Sequence, residues 1–359
     1  MIRQWLTQIL AVARLEMGKT FFSRRGLWVY LLAFAPVLLF AAHSIYAPRE
    51  RQRLERLAAA HPISPAALSS IREGESIDDV VRRLGQPYAR RMAHHRHERG
   101  RLVEHGFYKY TDGHSDVTLR VVDGRVMHIS RSEPGTLPRE TLVFATIFQF
   151  YFLRLAVFFG CAGIFMNLFR GEMLDKSLHF YLLTPIRREV LMMGKYLAGL
   201  IATVVIFTAS VAMQLPAMFW QYRGPELSSY LAGGGWEHIA AYLGVTALAC
   251  VGYGSIFLVA GLLFRSPIVP AAAILVWESI SLFVPAALKQ ISVIYYLQSL
   301  CPVVAPPDKQ MPLLLQFLIS TAQPASVAEA IGSIVILSLA ALFIAGLRSR
   351  RLEINYGVD

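Results

Sequence analysis

Residues 170–195 read RGEMLDKSLHFYLLTPIRREVLMMGK, between apolar runs at 142–168 and 191–219. A charged, helix-forming stretch between two runs of membrane-spanning length is held at one membrane face. Glu172, Asp175, Lys176 and Glu189 cost too much to sit in hydrocarbon. Arg170, Lys176, Arg187, Arg188 and Lys195 are dense enough to place the segment in the cytoplasm. A short helix fixed at that surface is what a soluble motor can push on.

The rest of the composition agrees with a membrane chain. Its hydrophobic fraction is 55% and its mean hydropathy +0.46, too apolar for an ordinary soluble domain. Apolar runs at 27–47, 142–168, 191–219, 238–263, 268–288 and 328–347 are each long enough to cross about 30 Å of hydrocarbon. Six spans are therefore expected. The net charge of +11 belongs to loops that set orientation, because no basic stripe interleaved with aromatics points to nucleic acid. The three cysteines build no disulfide framework; Cys161 and Cys250 fall inside expected spans and Cys301 outside them.

With six spans, the basic N-terminal arm (Arg3, Arg14, Lys19, Arg24, Arg25), Arg265 and the tail (Arg348, Arg350, Arg351) share the side of the 170–195 segment. Both termini are then cytoplasmic and the insert at 48–140 lies outside. Residues 2–22 place Ile2, Trp5, Leu6, Ile9, Leu10, Ala13 and Met17 at helical spacing. This predicts an interfacial helix in the headgroup plane, with Trp5, Arg14 and Lys19 as its anchors. Met17-Gly18-Lys19-Thr20 is not a phosphate loop: position 13 is Ala, no buried strand precedes it, and no such loop occurs elsewhere. Any ATPase is a separate chain.

In the insert, a charged helix from Arg49 to Ala60 is followed by a second helix with Ser76 as N-cap, paired with Asp79 as a capping box. Ile77, Val80, Val81 and Leu84 form its apolar face; Gly85 and Pro87 end it. Strand-like runs at 101–110, 115–122 and 125–130 are joined by Asp112-Gly113 and Asp123-Gly124, strong hairpin signals. The pattern Gly74-x-Ser76-x-x-x-Val80, Leu84-Gly85-x-Pro87, Tyr108, Tyr110 and Asp123-Gly124-Arg125-Val126 resembles the small outer-membrane assembly lipoproteins of the SmpA/OmlA type. Their lipidated N-terminal Cys has no counterpart here. The resemblance implies a binding module for a periplasmic partner. His94, His95, His97 and His105 cluster nearby, but no Cys or clear carboxylate completes a ligand set, so no metal is expected.

Arg154 lies near the middle of the second expected span and Glu278 near the middle of the fifth, at similar depth. Pairing them, in the interior or across a subunit interface, is the cheapest solution for two intramembrane charges, and it predicts that losing Arg154 alone costs more than losing both. Phe148, Phe150, Tyr151, Phe152, Phe158 and Phe159 suit an apolar cargo as well as lipid. The proline-rich 289–327 reads as a re-entrant segment packed on protein. A hydrolase is disfavoured: no His-Glu-x-x-His occurs, and Gly252 and Gly254 read as helix-packing glycines rather than a serine elbow at Ser255.

The 170–195 stretch also resembles the cytoplasmic coupling segment of type-2 ABC exporter permeases. The matching positions are Glu172, Lys176-Ser177-Leu178, Leu182-Leu183, Pro185, Arg187 and Gly194-Lys195, with Lys176 where the family usually has Gly. The family's elbow helix corresponds to residues 1–25, and its re-entrant feature falls in the 289–327 interval. The resemblance implies a permease without its own ATPase site or cofactor. ATP and Mg bind a partner ABC ATPase subunit, and a second permease, identical or a sister chain, completes the machine. Asp175 and Arg187 then make charge-assisted contacts with the ATPase, Leu178 fills an apolar groove, and Glu172, Lys176 and Pro185 shape the same face. The expected fold is an all-α polytopic membrane protein with six transmembrane helices, an N-terminal interfacial helix and a small α+β extracytoplasmic domain between the first two spans. Its parts are the elbow at 1–25, the first span at 26–47, the outer domain at 48–140, spans two to six at 141–347 with the coupling segment at 170–190, and a cytoplasmic tail at 348–359. The expected setting is the bacterial inner membrane and the expected activity export of an amphipathic or lipid-like cargo. The alternative is an envelope-assembly protein anchored by its spans and acting through 48–140.

Overall fold

The computed structural model describes residues 2–22, 26–98, 101–132, 136–174, 186–222, 225–264, 266, 268–280, 286–303 and 324–350. The chain forms two compact units: Met1–Phe40, Leu142–Ala217 and Leu227–Asp359 in one, Ala41–Thr141 and Met218–Glu226 in the other.

The second unit contains the insert. Helix α2 (Leu27–Ala60) is continuous, so the first apolar run and the charged helix after it are one element. The short helices α3 (Pro65–Ser69) and α4 (Ile77–Leu84) follow. Strands β1 (Ala89–Glu98), β2 (Arg101–Thr111), β3 (Asp116–Val122) and β4 (Arg125–Ser132) make an antiparallel sheet in sequential order. Alternation explains its buried face: Tyr108, Tyr110, Val117, Leu119, Val121 and Val126 point one way and pack with Leu68, Ile71, Ile77 and Val80. Burial pushes the Tyr110 phenol up to about 12.

Both Asp-Gly pairs form the expected turns. Asp123 and Gly124 have φ of 47° and 74°, the doubly positive geometry that twists with its strands. At the other turn, Asp112 Oδ1 accepts from the Ser115 amide (2.6 Å), the Ser115 hydroxyl (2.9 Å) and the His114 amide (2.9 Å). Burial alone would push this carboxyl up; the hydrogen bonds outweigh it and hold it below the usual range. A carboxyl lowered in the folded state adds stability above its unfolded pKa and loses it as pH falls through the folded value. Hydrogen-exchange protection of the 112–115 turn should therefore decline in acid, and Asp112→Asn should remove most of that pH dependence.

The capping box is not made as expected. Ser76 occupies the N-cap with extended backbone, but its side chain caps nothing. Instead its backbone bridges Arg125, the Ile77 amide donates to the Gly124 carbonyl at 2.9 Å, and Asp79 pairs with Arg82. The neighbouring hairpin has taken over the role of the cap.

The first unit is helical. It holds α1 (Ile2–Phe22), the start of α2, and most of a span that reads α5 (Leu137–Ile147), a π-helix (Phe148–Val157) and α6 (Phe158–Phe165), followed by α7 (Asn167–Leu174). Next come α8 (Arg188–Phe219), α9 (Pro225–Tyr230), a kink within Leu231–Gly235 at Gly233 and Gly234, and α10 (Trp236–Leu263). The described remainder is α11 (Ile268–Ile280), α12 (Ala286–Lys289), α13 (Val293–Ser299) and α14 (Val327–Arg350).

Among the described residues, five segments are long and apolar enough to cross a membrane: Leu27–Ala60, Leu137–Phe169, Arg188–Phe219, Pro225–Leu263 and Val327–Arg350. The expected fifth span, 268–288, contributes a shorter apolar helix, Ile268–Ile280. Residues 281–285 of that run lie outside the described residues. Most of the expected re-entrant interval, 304–323, lies outside the described residues. Its first part is α13, a buried helix packed on α10 and α14.

Helix α10 is central, packing along α14, α6 and the π-helix. Phe40, Phe144, Phe148 and Phe152 stack in series with centroids 5.4–5.9 Å apart, and Tyr242 meets Phe144 and Phe148 edge-on. This corrects the cargo reading of the second-span aromatics: Phe148, Phe152 and Phe158 are core residues. Phe150 alone of the six is exposed, at 45%. Gly254 packs as expected, since a Cβ there would lie 2.6 Å from the Phe165 ring. The Ser255 hydroxyl donates to the Gly252 carbonyl of its own helix.

Candidate functional site

One end of the first unit gathers elements remote in sequence. Helix α8 opens with Glu189, Gly194 and Lys195 in its first two turns. Gly194 is flush with α1: a Cβ there would lie 2.7 Å from Val12 and 3.0 Å from the Ile9 carbonyl oxygen. That close approach buries the next residue. Lys195 is fully buried, and its Nζ reaches Glu16 Oε1 at 3.3 Å and the Leu168 carbonyl at 3.2 Å, beside the Phe169 ring. Glu16, itself 4% exposed, also receives Lys19 at 3.3 Å. The Gly-Lys step therefore joins α1, α7 and α8 through one buried charge cluster.

Around this cluster, the Arg187 guanidinium lies 4.9 Å from the centre of the Trp5 ring. Arg188 donates to the Arg350 carbonyl at 2.9 Å, and Arg350 pairs with Glu189. The N-terminal helix, the end of α14 and the C-terminal flank of the 170–195 segment thus share one end of this unit.

The expected site residues distribute as follows. Trp5 and Arg187 touch, Lys19 joins the Glu16 cluster, and Arg14 is exposed. Glu172 lies on α7, with its side chain outside the described residues. Asp175, Lys176, Leu178 and Pro185 also lie outside them, as do the side chains of His94, His95 and His97. Glu16 was missed by sequence reasoning. The available signal was an acid following Val12 and Ala13 on what proves to be the protein-facing stripe of α1. Leu6 and Leu10, by contrast, are 55% and 60% exposed, as an interfacial helix requires.

The second site is the pair of charges within the bundle. Glu278 is buried at the end of α11, and its carboxylate accepts from the Ser292 hydroxyl (2.5 Å), the Val293 amide (3.1 Å) and the Ile294 amide (3.3 Å). It caps α13, meeting the positive end of that helix. Arg154, in the π-helix, stacks on Phe150 with 5.5 Å to the ring centre. Its Nε and Nη2 are buried without a hydrogen-bond partner among the described residues. Arg154 and Glu278 thus meet different groups within this chain, Phe150 for one and the start of α13 for the other. The hydrogen bonds of Glu278 that the structure describes go to this helix start.

Several long apolar helices around a central one, with charges at one end and in the interior, define a multi-pass membrane protein of the permease kind. The family model described as ABC-2 family transporter protein matches residues 10–343. The chain belongs to that family. Its permeases are membrane transport subunits that work with an ABC ATPase subunit. No curated protein and no solved structure matches the chain.

Proposed function

We propose that this chain is the permease subunit of an ATP-driven exporter, paired with a second permease and driven by a separate ATPase that binds ATP and Mg. The observation that carries the reading is the Glu16–Lys195 cluster. It ties the N-terminal helix to the start of α8, directly beside the 170–195 segment. Force delivered to Glu172, Asp175, Lys176, Leu178, Pro185 and Arg187 would pass through this junction into α1 and α8 together, tipping the spans between inward- and outward-facing states. The basic residues at this end, Arg187, Arg188, Arg348 and Arg350, support a cytoplasmic face with both termini on it, in a bacterial inner membrane. The sheet unit then lies outside. The apolar α11 and the buried α13 support a fifth passage followed by a re-entrant turn, with six crossings in all. The cargo is amphipathic or lipid-like.

The test is a mild-detergent pull-down from the native host with mass spectrometry of what is retained. A stoichiometric ATPase, lost on Glu172→Lys, is the expected result. Envelope-assembly proteins held through 48–140, with no ATPase, would overturn it in favour of an anchored assembly factor. The separate core of the second unit gives that reading its physical basis.

A further inference from the structure

Arg154 is placed at a cost that its surroundings do not offset. A guanidinium in the interior of a membrane bundle needs acceptors, because an unpaired buried cation is strongly destabilising. Both oxygens of Glu278, the buried carboxylate expected to pair with it, accept from Ser292, Val293 and Ile294. The two buried, unpartnered nitrogens are Nε and Nη2. Their N–H groups lie parallel along one edge of the guanidinium, the edge that receives a carboxylate or phosphate side-on. The residue also sits in a ten-residue π-helix, a wide-turned form that is rare and concentrated at functional sites. Gln149 in the same turn is buried and donates to the Val303 carbonyl at 2.7 Å, so this stretch is held in place. Beside Arg154, Phe150 and Leu155 are exposed at 45% and 38%.

We propose that Arg154 is the headgroup site for an anionic amphiphile on the transport path. Nε and Nη2 take one carboxylate or phosphate, and the apolar tail lies along Phe150 and Leu155. This names the cargo class and rests on the permease reading above.

The full chain is placed in phosphatidylcholine nanodiscs and titrated with cis-parinarate, a fluorescent carboxylate, and separately with its methyl ester. The acid should bind at least about tenfold more tightly than the ester, the range of a charge-assisted hydrogen bond. Arg154→Gln should erase that preference, and Arg154→Lys, which keeps charge but not the fork, should retain part of it. The comparison of acid with ester on the unaltered protein needs no variant to fold. Equal binding of the two, or a preference that survives Arg154→Gln, overturns the proposal. A second arm adds phosphatidylglycerol to the nanodisc. Loss of the preference there would make the occupant a resident lipid and overturn the cargo assignment; a preference that persists supports it. An ATPase that still co-purifies while acid and ester bind equally would leave the permease reading standing and remove only this site.

Discussion

Lys195→Met should destabilise the protein by about 3–5 kcal/mol, the cost of removing one partner of a buried ion pair. Lys195 is fully buried and Glu16 nearly so, which leaves water unable to replace the lost contact. The double variant Glu16→Leu/Lys195→Met should recover most of the loss, because two apolar side chains of similar volume need no partner. Lys19 will not compensate in the single variant: its side chain is 54% exposed, and exposed pairs contribute little. Thermal unfolding in detergent, run as a double-mutant cycle, measures this. Additive losses would mean that the cluster is not a coupled pair. The cycle also bears on function. If α1 and α8 move as one body, the stable double variant should keep its ATPase partner yet respond less to ATP, a combination a purely structural pair would not give.

The second large effect is at Glu278. Its replacement by Leu leaves the Ser292 hydroxyl and the Val293 and Ile294 amides buried without their acceptor. A loss of about 3 kcal/mol or more is expected, since each unsatisfied buried donor costs about 1–3 kcal/mol. Glu278→Gln, which retains an acceptor oxygen, should lose less. Arg154→Leu should change stability little or raise it, because Arg154 contributes no hydrogen bond through the two nitrogens it buries. The coupling energy between the two positions should fall well below that of the Glu16–Lys195 pair. This reverses the order expected from sequence, where Arg154 and Glu278 were partners and the single loss at Arg154 was the worse one. A large coupling energy would restore the direct pair.

The reason for the reversal is general to this chain. Hydropathy and turn chemistry are local properties, and they were legible. The apolar runs became helices, Asp112-Gly113 and Asp123-Gly124 became hairpin turns, and the alternation in 115–122 placed Val117, Leu119 and Val121 in a core. Continuity was less legible. The charged stretch after residue 48 continues α2 without a break, because Arg and Glu are as good in a helix as the apolar residues before them. Of the run at 268–288, the helix Ile268–Ile280 is described, and 281–285 lie outside the described residues.

The choice of partners for polar groups lay beyond the sequence. Ser76 was a sound N-cap by type, yet a neighbouring hairpin bonds its helix start. Glu16 looked like one more charge on a surface helix, and only the approach of Gly194 to Val12 buries it against Lys195. Glu278 had a plausible partner in Arg154, and its described hydrogen bonds go to the start of α13. By itself the sequence determined a membrane permease with an inserted sheet unit and a charged segment between spans, because those features follow from how each stretch partitions between water and lipid. The tertiary structure decided which charges meet, because hydrogen bonds and ion pairs act over a few ångströms and the distances are set only when remote helices pack.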